Sequence, residues 1–280
     1  MKEKVKDAIE FLQRHEPKEG YYLAFSGGKD SIVCKRLLQM AGCKYEGVYR
    51  VTSVDPPELV KYIKEKHEDI KREVPIDGYG KPVTMWNLIP KRGMPPTYKA
   101  RYCCAELKEE GGDGRKVVTG VRWEESLRRR KYRGKVDIVK NSKIKNIDFG
   151  GEFEETEKGL ILINDNDEAR RKIEFCVKRA KVSFNPIVNW TSADVWGFIL
   201  EEKLEYCALY DEGIDRLGCI GCPLSCTEKR WKEFERWPIY KDFYIRAFQK
   251  LSDKLREEGK LENSKFGPNG ETMFRWWMKD

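Results

Sequence analysis

A short loop rich in glycine and serine, SGGKDS at residues 26–31, contains the residue types that bind phosphate. Gly27 and Gly28 permit positive φ angles and let backbone N–H groups approach an anion closely. A helix starting there adds exposed N–H donors and a partial positive charge. The polar side chains are Ser26, Lys29, Asp30 and Ser31. The lysine supplies charge, the serines supply hydroxyl donors, and the aspartate could hold Mg²⁺ against phosphate oxygens. The spacing is neither GxxxxGK(S/T) nor GxGxxG, so we predict a pyrophosphate site of another class.

Two groups of cysteines have spacings that suit metal binding. Cys219 and Cys222 form a CxxC pair, and Cys103 is followed directly by Cys104. Two thiolates at CxxC spacing reach one metal with little backbone strain. That pair does not complete a site, so the adjacent cysteines are the obvious second pair. Four thiolates suit a 4Fe–4S cluster or a structural zinc, and ligand softness does not separate the two. Because adjacent cysteines must both turn toward one cluster, two other thiols are alternatives for one of them, Cys176 and Cys226.

The charge is moderately basic and unevenly distributed. The 280 residues contain 55 Lys and Arg against 47 Asp and Glu, a formal net charge of +8. Residues 126–145 hold nine of these bases against the single acid Asp137, which predicts anion binding there. The run at residues 128–131, followed by Tyr132 and Arg133, could contact nucleic-acid phosphates, and a solvated face is the alternative.

The pattern around these motifs predicts strands alternating with helices. Short apolar runs that suit strands occur at residues 21–25, 47–51, 70–76, 116–121 and 184–187. Between them lie helical patterns at 32–40, from Pro56 toward His67, and from the capping box that begins at Thr191. This alternation predicts an α/β fold with a Rossmann-like, doubly wound parallel sheet.

The same pattern suggests a domain organisation. We predict an α/β nucleotide-binding domain over residues 1–205, followed by a cysteine-containing segment and C-terminal helices over 206–280. A polar insertion occupies about 134–181, where GGEFEETEKG suggests a hairpin or a surface excursion. Residues 77–99 lack periodicity, and a loop of that length is usually functional or disordered.

Several protein classes are disfavoured by composition. The apolar runs are only a few residues long, so we expect no membrane span. The N-terminal segment is a charged amphipathic helix without the apolar stretch of a secretion signal, which predicts a cytoplasmic protein. In that setting, clustered cysteines indicate metal or redox chemistry before disulfides.

Six motifs in this order resemble the phosphoadenosine phosphosulfate (PAPS) reductase family of the PP-loop ATP pyrophosphatases, an adenine nucleotide alpha hydrolase-like superfamily. They are SGGKDS, VDPPEL, RYCCAELK, TGVRWEES, NPIVNW and GCIGCP, and they cover roughly residues 20–240. Members of the superfamily split ATP between its α and β phosphates and release AMP. In the iron–sulfur branch, the adenosine phosphosulfate (APS) reductases, a Cys-Cys pair and a later CxxC bind a 4Fe–4S cluster next to the nucleotide. The resemblance therefore implies four ligands: Cys103, Cys104, Cys219 and Cys222.

Basic and polar residues complete the implied site. Arg122 follows a predicted strand, where ligands gather at the carboxyl ends of a parallel sheet, and a guanidinium can bind phosphate through two hydrogen bonds. By resemblance, Arg122 and Arg128 are anion-binding candidates, and Arg101 and Lys108 flank the cysteine pair. Asp55 follows a strand end and could bind a ribose or an amine; the alternative is that it caps the helix beginning at the next residues.

Two departures from the family favour an ATP-using relative. The final twenty residues contain no cysteine of the ECGLH type that reductases use, and the loop keeps its complete SGGKDS form. We therefore expect ATP and Mg²⁺ to bind at the loop, with Lys29, Asp30 and Arg122 acting in catalysis while an acceptor oxygen attacks the α-phosphorus. The cluster would then present or relay sulfur. The acceptor could be a tRNA base, a DNA phosphate or a small metabolite, with a sulfur or electron donor protein and a homodimer also possible.

Two alternatives remain at this stage. The first is an APS or PAPS reductase that releases sulfite with another thiol, Cys226 or Cys207. The second is a non-catalytic nucleotide- or RNA-binding module stabilised by zinc.

Overall fold

The computed structural model describes residues 1–144, 147–262 and 264–279, which form two compact units. The sheet unit contains Met1–Tyr49, Tyr62–Arg72 and Gly111–Ala208. The thiol unit contains Arg50–Lys61, Glu73–Glu110 and Leu209–Asp280. These units alternate along the chain, whereas the predicted domains 1–205 and 206–280 are consecutive, and that domain boundary stays a prediction. Lys145, the last base of the predicted basic segment, lies outside the described residues.

Eight strands form one sheet. They are β1 (Tyr21–Ala24), β2 (Tyr45–Arg50), β3 (Lys71–Glu73), β4 (Lys116–Val118), β5 (Val136–Ile138), β6 (Phe153–Thr156), β7 (Gly159–Leu162) and β8 (Val182–Phe184). Their order across the sheet is β3-β2-β1-β4-β8-β5-β7-β6.

The strands that carry the predicted nucleotide motifs are parallel. β1 pairs with β2 on one side and with β4 on the other, and β4 pairs with β8, all in parallel. The strand order therefore reverses between β1 and β4, which makes their carboxyl ends a topological switch point. Crevices at such points are where open α/β sheets bind ligands. The predicted α/β, Rossmann-like fold is confirmed.

The sheet is mixed: beside the predicted parallel, doubly wound half, one edge is antiparallel. β5 pairs antiparallel with β8, β7 with β5, and β6 with β7. All three strands come from the predicted insertion at 134–181, where GGEFEETEKG forms the β6–β7 hairpin as predicted. A two-residue connection cannot make the crossover that parallel pairing needs, so these two strands pair antiparallel.

Eleven α-helices accompany the sheet in the described residues. They are α1 (Lys2–Arg14), α2 (Lys29–Met40), α3 (Pro57–Lys66), α4 (Met85–Arg92), α5 (Tyr102–Cys104), α6 (Leu127–Tyr132), α7 (Asp167–Val177), α8 (Ser192–Glu201), α9 (Thr227–Arg236), α10 (Pro238–Glu257) and α11 (Gly270–Trp277). In the sheet unit, α2 packs against α1, α8 and β1. No helix in the described ranges is both long enough and apolar enough to cross a membrane.

The thiol unit is built around α10, which packs against α4, α9 and α11. Its core is aromatic: the Tyr244 and Trp277 rings lie 4.6 Å apart between centroids, and Phe248 and Phe274 contact the same indole. All four side chains are at most 1% exposed. Burial on this scale contributes roughly 1.5–3 kcal/mol per large apolar side chain, so this core fixes the backbone that carries the cysteines.

Residues 77–99 are not the continuous loop that the lack of periodicity predicts, because α4 lies within them. Thr84 and Asn87 form a reciprocal capping box at its start, and Gly93 ends it with φ of 71°. Both are helix-boundary signals that the sequence contains. The strand bounds also differ from the predicted ones. β3 and β4 are shorter than predicted, β2 begins two residues earlier, and β8 begins two residues earlier and ends before Pro186, which has no N–H for a sheet.

Candidate functional site

The SGGKDS loop connects the carboxyl end of β1 to the first turn of α2. Gly27 has φ of 71°, in the left-handed region that favours glycine. Gly28 is extended and is the N-cap of α2, so no side chain covers the start of the helix. Lys29 is in the first turn and is only 6% exposed. The loop therefore presents backbone N–H groups and one ammonium at a helix N-terminus, an arrangement that suits a phosphate group.

The two serines hold the loop in shape. Ser31 Oγ donates to the Gly28 carbonyl at 2.8 Å, and the Ser26 backbone N–H donates to Ser31 Oγ at 3.3 Å. The Ser26 and Ser31 hydroxyl oxygens are also 3.3 Å apart. Ser31 is buried and Ser26 is exposed. Ser31 thus stabilises the turn, whereas the Ser26 hydroxyl is accessible to a ligand.

Arg122 contacts this loop through a buried ion pair. Its Nε donates to Asp30 Oδ1 at 2.6 Å and its Nη1 donates to Glu124 Oε2 at 2.8 Å, and the residue is 2% exposed. Further hydrogen bonds run from Nη1 to the Trp190 carbonyl and from Nη2 to Ser192 Oγ, each at 3.3 Å. Ser192 and Arg122 both donate to Glu124 and lower the pKa of that carboxyl. The guanidinium therefore fixes the orientation of Asp30.

Close backbone contact joins the two motifs SGGKDS and TGVRWEES. A Cβ atom on Gly120 would lie 2.8 Å from the Asp30 Cβ and 2.9 Å from the Asp30 carbonyl carbon. Only glycine leaves room for the start of α2 to approach the end of β4 so closely. The sequence reveals Gly120 within the TGV motif, but the contact depends on the pairing of β1 with β4.

The four predicted ligands Cys103, Cys104, Cys219 and Cys222 line one cavity in the thiol unit. The rest of its lining consists of Thr52, Met85, Leu107, Lys108, Pro223 and Tyr244. The structure therefore brings together two cysteine pairs separated by more than a hundred residues. Among the residues that the structure describes, however, no group of three or more His, Cys, Asp or Glu side chains is arranged to hold a single metal ion.

Cys103 and Cys104 lie where the short α-helix α5 passes into a π-helical turn. α5 runs directly into a π-turn at Ala105–Glu109, a feature that often marks functional sites. Cys103 and Cys104 hydrogen-bond to each other, so both side chains turn to the same side. The hydrogen bond from Cys103, helped by Arg101, lowers the pKa of Cys104 to about 6. The same bond, with burial, raises the pKa of Cys103.

The CxxC loop is held by hydrogen bonds to the backbone groups of Ile220 and Gly221. The Ile220 N–H donates to the Val54 carbonyl at 2.8 Å, and the Tyr244 hydroxyl donates to the Ile220 carbonyl at 3.1 Å. The Gly221 N–H donates to Glu233 Oε2 at 2.8 Å. Gly221 has φ of 70°. Cys219 and Cys222 are therefore presented by a rigid turn.

Asp55 and Lys108 form a charged pair beside Cys219. Lys108 Nζ lies 3.8 Å from Asp55 Oδ1, and Cys219 Sγ lies 3.8 Å from the same oxygen. Burial lowers the pKa of Lys108, but electrostatic attraction to Cys219 and Asp55 outweighs it and raises that pKa. Burial in turn raises the pKa of the Cys219 thiol to about 12. Asp55 is 5% exposed. Both predicted roles of Asp55, ribose or amine contact and helix capping, stay predictions.

The remaining predicted residues do not line the thiol cavity. Arg101 hydrogen-bonds to Cys104, and Arg128 is exposed on α6. Neither alternative ligand lines the thiol cavity: Cys176 is buried in α7, and Cys226 is exposed at the start of α9.

Sequence reasoning missed four residues that shape the two sites: Gly120, Glu124, Ser192 and Tyr244. Only Glu124 and Gly120 have a sequence signal, their place in TGVRWEES.

Comparison with known proteins gives a family match over most of the chain. The sequence model of the phosphoadenosine phosphosulfate reductase domain matches residues 20–225. The uncharacterized protein MJ0066 of Methanocaldococcus jannaschii is 25% identical over 98% of this chain and 50% of its own length. A second protein of that organism, MJ0973, is 26% identical over 84% of this chain and 47% of its own length. The chain thus spans about half the length of these relatives.

Shorter or more distant similarities include named reductases. The phosphoadenosine 5'-phosphosulfate reductase of Gloeobacter violaceus is 42% identical over 55 residues, which is 20% of this chain and 22% of that protein. The crystal structure of the PAPS reductase from Candida auris is 14% identical and covers 77% of this chain and 87% of its own, with a TM-score of 0.43.

Proposed function

Since its residues 20–225 match that sequence model, the chain belongs to the phosphoadenosine phosphosulfate reductase domain family, and we propose that it activates an acceptor with ATP in sulfur metabolism. An acceptor oxygen attacks the α-phosphorus, the new O–P bond forms as the α–β bridging bond breaks, and pyrophosphate leaves. A sulfide-level nucleophile then displaces AMP. The observation that carries this proposal is the Asp30–Arg122 ion pair at the SGGKDS loop.

The loop supports a nucleotide triphosphate because its donors suit a pyrophosphate group. Gly27 and Gly28 leave the start of α2 uncovered, and Lys29 adds a positive charge in the same turn. Helix N-termini with such donors stabilise phosphate groups. These groups would bind the β and γ phosphates and stabilise the charge that develops on the departing pyrophosphate.

Asp30 has the features of a Mg²⁺ ligand. Arg122 engages Oδ1, whereas Oδ2 has no hydrogen bond within the described residues, and the side chain is 22% exposed. Mg²⁺ is commonly held by one or two carboxylates together with substrate phosphates. Arg122 would keep the carboxylate oriented while that ion neutralises phosphate charge. Arg122 therefore acts in this proposal as a positioning residue for Asp30.

Four thiolates suit either a 4Fe–4S cluster or a structural zinc, and we propose the cluster for the thiol cavity. A 4Fe–4S cluster is larger and binds four separated thiolates, and four cysteines line this cavity. When bound, the cluster would supply sulfur-relay or redox chemistry. The Cys103–Cys104 hydrogen bond supports the convergence of both adjacent side chains.

The first experiment follows radiolabelled ATP. We expect AMP and pyrophosphate rather than ADP, and we expect Asp30→Asn and Arg122→Lys each to lower AMP formation by about 100-fold or more, because both disturb one carboxylate. Asp113→Asn is the matched control, since Asp113 is an exposed acid in the same unit. Formation of ADP, or equal AMP formation in all three variants, would refute the proposal.

A second experiment tests the thiol cavity. In anaerobic preparations assayed for iron, sulfide and zinc, we expect Cys103→Ser and Cys219→Ser to lose iron. Cys226→Ser should retain it, because Cys226 lies outside the cavity lining. Zinc without iron would instead support a structural zinc site, and iron loss in the Cys226 variant would exclude the proposed ligand set.

Sulfonucleotide reduction is the second candidate, favoured by local identity to the reductases of Gloeobacter violaceus and Geobacillus kaustophilus. Of the two thiols considered for it, Cys207 is 1% exposed and Cys226 is exposed. Cys226 is therefore the thiol that a substrate could reach. Sulfite release from APS or PAPS with a thiol reductant, lost in Cys226→Ser, would establish this activity in place of ATP activation.

A further inference from the structure

A cluster of cations covers the outer surface of α6, the helix that follows Arg122 in the sheet unit. Arg128, Arg130 and Lys131 are all exposed, and Leu127 beside them is 86% exposed. With about 100° per residue, these four side chains fall within an arc of roughly 160°. Arg129 points to the opposite side, where it pairs with Glu125. The charged side chains on the exposed side of α6 are therefore all positive.

Most of the positive charge on this side is not compensated, and the acid nearest to it is Glu157, which accepts from the Tyr132 hydroxyl at 3.0 Å and attracts Lys131. Arg129 pairs with Glu125 and Arg133 pairs with Asp137, whereas Arg128, Arg130 and Lys131 form no ion pair with any described residue. Like charges three residues apart on a helix repel each other. A polyanion would remove that repulsion, so charge complementarity favours a chain of phosphates.

Aromatic side chains flank the same surface. Trp123 is 37% exposed, and its indole N–H donates to the Arg133 carbonyl at 2.6 Å, which fixes the ring. The Tyr132 ring lies between two lysines, with Lys131 Nζ at 5.1 Å and Lys158 Nζ at 5.8 Å from its centroid. Tyr132 is half-buried and its hydroxyl donates to Glu157 Oε2 at 3.0 Å, so Trp123 is the exposed ring here. An exposed ring among cations binds unpaired bases by stacking, which duplex nucleic acids do not offer.

One carboxylate connects this surface to the nucleotide loop. Glu125 Oε2 accepts from the Arg122 backbone N–H at 3.3 Å and also pairs with Arg129 of α6. Arg122 in turn holds Asp30. The cationic helix is therefore anchored to the same residue that orients the proposed Mg²⁺ ligand.

We propose that the α6 surface, formed by Arg128, Arg130 and Lys131 with Trp123 and Tyr132, binds the backbone of a single-stranded polynucleotide. The proposal that this surface binds a single strand depends only on the surface itself. The further step, that this polynucleotide is the acceptor whose oxygen attacks ATP, rests on the proposed function.

The test measures binding of a fluorescent 20-nucleotide single-stranded RNA, the same sequence as single-stranded DNA, and a 20-base-pair duplex, each without ATP and at several salt concentrations. The variant is Arg130→Ala/Lys131→Ala. Its matched control is Lys18→Ala/Lys178→Ala, which removes from the same unit two exposed lysines that pair with no acid among the described residues. Each lost phosphate contact changes the slope of log affinity against log salt by about 0.7 for single strands.

We expect the α6 variant to bind single strands at least tenfold more weakly in 50 mM salt, with a slope lower by about 1.4. The control should bind like the unaltered chain. Equal weakening in both variants, tighter binding of the duplex, or no binding at all would overturn the inference.

AMP formation with and without the RNA separates this inference from the proposed function. Stimulation that the α6 variant lacks supports the acceptor role. AMP formation without RNA binding would overturn only the proposal that the α6 surface binds RNA. RNA binding without AMP formation would overturn only the proposed function.

Discussion

Replacing Gly120 with alanine tests whether the contact between β4 and α2 shapes the nucleotide loop. The added Cβ would meet Asp30 Cβ at 2.8 Å and the Asp30 carbonyl carbon at 2.9 Å. Ordinary contact begins at 3.4 Å, so the first turn of α2 must move by about 0.6 Å. The second of these atoms belongs to the backbone, and a side-chain rotation cannot relieve the overlap. Overpacking of this kind costs about 1–3 kcal/mol of stability.

The loop should lose more than stability. A binding constellation tolerates displacements of only about 0.5 Å, so we expect Gly120→Ala to weaken ATP binding by at least tenfold, which is about 1.4 kcal/mol. Isothermal titration with ATP and Mg²⁺ measures this loss, and urea unfolding measures the stability. Both measurements are independent of AMP formation, so they test the geometry of the loop and not the proposed reaction.

Gly151→Ala is the control. Gly151 lies in the same unit, its φ is not in the left-handed region, and nothing lies within 4 Å of a Cβ placed there. It therefore reports the effect of a Gly→Ala change on the unfolded chain, about 0.4–1 kcal/mol of stabilisation. If both variants bind ATP equally well, the close approach of Gly120 to Asp30 does not shape the loop, and that reasoning is wrong.

Two further predictions concern titrating groups. Burial, and to a lesser extent the positive charge of Lys35, lowers the pKa of His67 to about 4. As the pH falls from 6.5 to 4, the unfolded chain therefore takes up a proton at this residue that the native state does not. Stability should fall by about 3 kcal/mol over that interval, and a His67→Gln variant, followed by urea unfolding, should lose part of this dependence. In the reduced, metal-free protein, Cys104 should react with iodoacetamide with a midpoint near pH 6. Mass spectrometry would contradict this prediction if Cys103 were modified first.

The parallel half of the fold could be predicted because its signals are local. The apolar run at β1, the glycines of the loop and the amphipathic pattern of α2 follow one another in sequence. Likewise, the capping box at Thr191 and Asp194 appears in the structure as predicted. Such elements depend mainly on their own residues.

The rest depends on contacts between distant residues. A polar composition at 134–181 does not reveal that β5 pairs with β8 rather than lying outside the sheet, because strand pairing is a property of two segments. Similarly, Arg122 has the right residue type for an anion ligand, but its ion pair with Asp30 requires β1 and β4 to be neighbours. Tyr244 carries no motif, and its hydrogen bond to the Ile220 carbonyl emerges only from the packing of α10.

The alternation of the two units along the chain has a consequence for how such a protein can be divided or recombined. The backbone passes from one unit to the other five times, at residues 49–50, 61–62, 72–73, 110–111 and 208–209. Cleavage at one place after residue 205 would leave Cys103 and Cys104 on one fragment and Cys219 and Cys222 on the other. A single genetic crossover therefore cannot exchange the whole thiol unit between two relatives, and its two cysteine pairs must be inherited through separate stretches of the gene.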